Sequence, residues 1–116
     1  MSDHECAPLH TFHSMGKKNF VPILEEFYFS RYSGFNSLVR KLGTTPKQLS
    51  LRMSEMVIDQ LLEKKEESYC ITLKGKELGS LIQQIKGFHA KYNGASSPCS
   101  GIPCTDCSVF LSIKST

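Results

Sequence analysis

The sequence predicts a mainly α-helical domain with one small β-hairpin, and three features of its middle region carry that prediction. Apolar residues recur at helical spacing in several separate stretches, and a capped helix start stands at Thr45-Pro46. A run of strand formers, Ser68-Tyr69-Cys70-Ile71-Thr72-Leu73, follows the acidic pair Glu66-Glu67.

The opening ten residues, MSDHECAPLH, are expected to be irregular. From Phe12 to about Phe29 the chain reads as helical, punctuated at Gly16, with Phe20, Ile23, Leu24 and Phe27 on one apolar face. Pro22 is tolerated only in a first turn, so this helix starts near Asn19, itself a good N-cap type. Arg31 to Gly34 is a break. Phe35, Leu38, Val39 and Leu42 form a second apolar stripe, closed by Gly43 as a C-terminal glycine.

Next, Thr45 is an N-cap, Pro46 takes the first helical position, and Gln48 completes a capping box. Leu49, Met53, Met56 and Gln60 share a stripe that should face the core, with Val57 and Leu61 beside it. Leu61 to Lys65 is expected to pair with the strand formers after the Glu66-Glu67 turn. A last helix runs from about Gly75 to Tyr92, with an apolar face of Leu78, Leu81, Ile82, Ile85 and Phe88 and with His89 beside it. From Asn93-Gly94 onward the composition is that of a loop, with a short strand-like run at Ser108 to Ile113. Residues 1–93 therefore form the folded unit, and residues 94–116 form a cysteine-containing tail too small to build its own core.

Composition narrows the function classes. At 40% hydrophobic and 22% charged, the 116 residues have the balance of an ordinary globular chain. No apolar run approaches the roughly 18 residues of a membrane span. The first residues lack the basic-then-apolar order of a signal peptide, which predicts an intracellular, cytoplasmic protein. The net charge is only +3, but Arg40, Lys41, Lys47, Arg52, Lys64, Lys65, Lys74 and Lys76 face only Glu55, Asp59, Glu63, Glu66 and Glu67 in the middle region. That permits nucleic-acid binding without requiring it. A glycine-rich phosphate loop, an H-E-x-x-H pair and a nucleophile elbow are all missing, so an enzyme is not expected.

A short helix, a glycine-containing turn and a capped helix make a helix-turn-helix, and the following hairpin is its wing. The second helix of that motif lies in the major groove. With Leu49, Met53 and Met56 turned inward, Lys47, Gln48, Ser50, Leu51 and Arg52 are left to face bases. Lys and Arg suit guanine edges, Gln suits adenine, and Leu51 suits either a thymine methyl or a wider packed face. Thr44 and Thr45 are placed for phosphates, as are Lys64 and Lys65 on the wing, although Glu66 and Glu67 at its tip oppose such contact. The expected function is a sequence-specific double-stranded DNA-binding transcriptional regulator. The alternative is a winged-helix module that binds a protein partner and no DNA.

The runs FNSLVRKLGTTPKQLSLRMSEM, LLEKK and YCITLKGKEL together resemble the HxlR-type winged-helix regulators, relatives of the MarR group. Phe35, Leu38, Thr45, Pro46, Leu49, Ser50, Arg52, Met53, Met56, Tyr69, Thr72, Gly75 and Leu78 hold the family's motif positions, and the likeness covers roughly residues 6 to 92. The resemblance implies a homodimer built from the N-terminal segment and the last long helix, which assigns Leu78, Leu81, Ile82, Ile85 and Phe88 to the interface. Those same residues alternatively cover the domain's own core. Two departures stand out: Gln60, where the family has glycine, and a short, acidic wing.

Five cysteines remain. Cys99-x4-Cys104-x2-Cys107 has chelating spacing and suits zinc, given a fourth ligand such as Cys6 or one of His4, His10, His13 and His89. A disulfide within the trio and free thiols are the alternatives. Cys6 also resembles the N-terminal redox-sensing cysteine of some HxlR-type proteins, although Cys6-Ala7-Pro8 is displaced by one residue from their C-P motif. Cys70 reads as a buried structural cysteine, and His10 and His13, one turn apart, read as surface or interface histidines more than as a metal pair.

Overall fold

A computed structural model describes residues 7–92. They form α1 (Ala7–Met15), α2 (Phe20–Tyr28), α3 (Phe35–Leu42), α4 (Pro46–Ile58), β1 (Leu62–Lys65), β2 (Ser68–Ile71) and α5 (Leu73–Tyr92). The expected mainly helical fold with one hairpin is present, and its element order is that of a winged helix. The strands pair antiparallel from Leu62 opposite Ile71 to Lys65 opposite Ser68, leaving Glu66-Glu67 as a two-residue turn with Glu66 at φ 54°.

The core lies between α2, α3, α4 and the hairpin. Ile23, Leu24, Leu49, Met53, Met56 and Leu62 are all within 1% of full burial there. The caps set how the helices turn into it. Thr44 N–H donates to Val39 O and Gly43 N–H to Arg40 O, with Gly43 at φ 66°, so α3 ends in a Schellman motif around that glycine. The same pair of bonds closes α4, from Leu61 N–H to Met56 O and from Gln60 N–H to Val57 O, but here the left-handed residue is Gln60 at φ 65°. Gln60 is thus exposed at the helix end and does not extend the buried stripe of Leu49, Met53 and Met56. Its left-handed backbone accounts for the glycine that the resembled family carries at this position.

Thr72 and Gly75 join the hairpin to α5. The Thr72 hydroxyl donates to Gln60 O at 2.6 Å and accepts from Gly75 N–H at 3.0 Å, which caps α5. A Cβ on Gly75 would lie 2.3 Å from Leu61 O, so the chain packs there only because no side chain is present. Leu73, expected at the end of the strand, is instead the first residue of α5, because this cap sits one residue before it.

Three further expectations are corrected. The helix α1 starts at Ala7, inside the stretch expected to be irregular, with Pro8 tolerated in its first turn. Its large apolar residues Leu9 and Phe12 are exposed, so they gave no core-facing pattern by which the helix could be recognised. Asn19 stands at the expected N-cap of α2 but in the left-handed conformation, φ 68°, with no side-chain bond to the helix. Its part is to turn the chain, which asparagine does at lower cost than most residues.

The face of α5 also differs. Its buried line is Gly75, Gly79, Ile82, Gln83 and Lys86. Ile82, 3% exposed, belongs to the domain's own core, while Leu81, Ile85 and Phe88 point outward and Leu78 is half-buried. The polar part of the buried line meets α2, where Glu25 Oε2 accepts from Gln83 Nε2 at 2.6 Å and from Lys86 Nζ. Beside it, Glu26 pairs with Lys41 of α3 at 2.7 Å. Both carboxylates are at least 99% buried, and every described buried side-chain polar atom has a partner.

Candidate nucleic-acid interface

The start of α4 is fixed by chemistry visible in the sequence. The Thr45 side chain accepts from Gln48 N–H at 3.2 Å, with Pro46 at the first helical position. The reciprocal half of the capping box is replaced: the Gln48 side chain turns to Thr44, whose hydroxyl donates to Gln48 Oε1 at 2.9 Å. Because α3 is capped at Gly43 and α4 begins at Pro46, the first turn of α4 projects from a tight connection, and it is two-sided. Leu49 is buried, whereas Lys47, Gln48, Ser50 and Leu51 are exposed. Leu51 is 58% exposed, so it does not belong to a wider packed face in this chain.

Arg52 sits differently from its expected partners. Its Nε donates to the backbone oxygen of Lys18 at 3.1 Å, and its guanidinium binds Glu55 Oε1 at 2.5 Å. Glu55 also pairs with Lys17 at 3.5 Å. Burial pushes the Glu55 carboxyl up, but the hydrogen bond and charge of Arg52 and the charge of Lys17 outweigh it and hold the carboxyl below its ordinary value. Arg52 therefore links the side of α4 to the turn between α1 and α2.

Both wing lysines are exposed. Lys64 lies 5.7 Å above the Tyr69 ring and Lys65 is 3.5 Å from Glu63. Neither contact is stronger than a surface interaction. Cys70 is half-buried in β2, less enclosed than expected, and is a free thiol.

The helices α1 and α5 run along a groove of about 480 Å³ whose lining includes Phe12, Met15, Leu78, Leu81, Ile85 and Phe88. Phe12 and Phe88 are both more than half exposed. His10 contacts Asp59 at 3.3 Å, at the end of α4, and His13 is exposed. Among the described residues no three metal-ligating side chains come together. Cys6, Cys99, Cys104 and Cys107, together with His4 and the whole 94–116 tail, lie outside the described residues.

Two features were missed from the sequence. The Lys17-Lys18-Asn19 turn lies beside α4, and its signal was a pair of cations directly after Gly16. The buried Glu25–Lys86 pair was the other, and its signal was two carboxylates inside the apolar run of α2.

The described residues form a winged helix with an exposed polar face on its second helix-turn-helix helix, and no described helix is long and apolar enough to cross a membrane. The chain is 27% identical, over 92 residues, to an uncharacterised HTH-type transcriptional regulator of Methanocaldococcus jannaschii, an alignment covering 75% of this chain and 86% of that protein. That likeness reaches helix-turn-helix regulators as a class and goes no finer. No protein-family model and no solved structure matches the chain.

Proposed function

We propose that this protein is a DNA-binding transcriptional regulator of the HxlR type, acting as a homodimer. The observation that carries the proposal is the two-sided first half of α4. Its inner stripe is sealed in the core, while Lys47, Gln48 and Ser50 project from a rigidly capped helix start. Such a helix offers base-edge partners in the major groove with little conformational freedom left to lose. Thr44, Thr45, Lys64 and Lys65 supply phosphate contacts around it. The similarity to a helix-turn-helix regulator supports the same reading.

The dimer rests on the exposed apolar residues of α1 and α5. Phe12, Leu81, Ile85 and Phe88 are each exposed by 44% or more along the one groove between α1 and α5, and an exposed apolar surface of that kind is where a partner chain packs. A second copy packed there in two-fold symmetry places two α4 helices about one DNA turn, ~34 Å, apart. The cysteine spacing in the tail supports zinc held by Cys99, Cys104 and Cys107 with Cys6 as fourth ligand, and Cys6 alternatively serves as a redox-sensing thiol. A zinc content well below one equivalent in chelator-free protein would refute the metal site.

The exposed Leu51 and the acidic Glu66-Glu67 tip favour the second reading, a protein-binding winged helix. Fluorescence anisotropy with a mixed-sequence duplex at two salt concentrations separates the two. DNA binding gives an affinity that falls steeply with salt, and a protein-binding module gives no signal at either concentration.

A further inference from the structure

Arg52 lies on the helix assigned to base reading, yet both of its described hydrogen bonds are spent on the protein itself, at Lys18 O and at Glu55. The Lys18 carbonyl belongs to the short connection between α1 and α2, which turns through the left-handed Asn19. Lys18, Asn19, Gln48, Leu51 and Arg52 line one open cleft of about 220 Å³, so this connection and the outer side of α4 form one continuous surface. Lys18 is exposed on that surface. Glu55 completes the arrangement by pairing with Arg52 through Oε1 and with Lys17 through Oε2.

We propose that Arg52 is a positioning residue for the DNA complex, holding the Lys17–Asn19 turn against α4 so that Lys18 meets a backbone phosphate beside the recognition helix. Base choice then falls to Lys47, Gln48, Ser50 and Leu51. Arginine suits this task because its planar fork serves a carbonyl and a carboxylate together, which a lysine ammonium does not reproduce. The inference rests on the DNA-binding reading and extends the footprint to an element outside the helix-turn-helix.

The test compares wild type with Arg52→Ala, Lys18→Ala and Glu55→Ala on a panel of duplexes differing at single base pairs. Arg52→Ala and Lys18→Ala are expected to weaken binding by a similar factor on every duplex and to reduce the salt slope by about 1, with base preferences unchanged. Glu55→Ala is expected to weaken binding too, although it removes a negative charge from the neighbourhood of DNA. Tighter binding by that variant overturns the proposal. Amide exchange without DNA gives an independent readout: residues 17–19 should exchange faster in Arg52→Ala, and unchanged exchange also overturns it. A relaxed preference at one base pair in Arg52→Ala, with wild type binding normally, overturns the inference alone. Wild type that binds no duplex at low salt overturns the DNA reading and this inference with it.

Discussion

The helices α4 and α5 are built on opposite plans. In α4 the apolar stripe of Leu49, Met53 and Met56 is inside and the polar residues are outside. In α5 the inner line carries Gln83 and Lys86, and the outer one carries Leu81, Ile85 and Phe88. The buried lysine is explained inside the domain, where it neutralises Glu25 of α2, whereas the exposed Ile85 and Phe88 leave large apolar side chains more than 40% open to solvent. The two helices therefore present opposite outward chemistry, polar on the first half of α4 and apolar on α5.

The largest effect is expected at the inner side of α5. Lys86→Met removes the ammonium from a carboxylate with no solvent access and should cost about 3–5 kcal/mol by chemical denaturation. A loss under ~1 kcal/mol would mean that the inner polar line does little for stability.

The outer side comes next. The double variant Ile85→Asp, Phe88→Asp should be monomeric by light scattering and should lose high-affinity duplex binding while remaining folded. Surface substitutions of this kind usually change the stability of a monomer by no more than about 0.5 kcal/mol each. A dimeric double variant would remove α5 from the interface.

A smaller effect sharpens the account of α4. Gln60→Gly relieves a non-glycine residue of a left-handed backbone and should raise stability by ~1 kcal/mol in thermal melts. Unchanged or lower stability would show that the Gln60 side chain compensates for its backbone.

The smallest effect is electrostatic. The Glu55 carboxyl is held below its ordinary value of 4.5, so its contribution is present above that pH and is lost as pH falls through the depressed value. Glu55→Gln should therefore be slightly less stable than wild type at pH 7, with the gap closing in acid. A gap that widens in acid would contradict the sign.

Much of the fold was legible because local chemistry and tertiary structure agree there. Thr45, Pro46 and Gly43 mark helix ends through their own backbone preferences, and the stripe from Leu49 to Met56 faces the core of the described residues. The signals failed where residues serve distant partners. Phe12 and Leu9 are largely exposed, so α1 had no core-facing pattern, and Ile82 could not be told from Ile85 because adjacent turns place both near one apolar arc. Likewise, Arg52 matches a base-reading residue by type and spacing, and its contacts with Lys18 and Glu55, residues 34 and 3 positions away, leave no mark in the sequence pattern.

We infer that the outer face of α4 reads duplex DNA in a two-fold complex. Repeated selection of bound duplexes from a random pool tests it most directly. The account predicts enrichment of an inverted repeat whose half-sites lie about 10 base pairs apart, centre to centre. A pool that shows no enrichment, even at low salt, would contradict it.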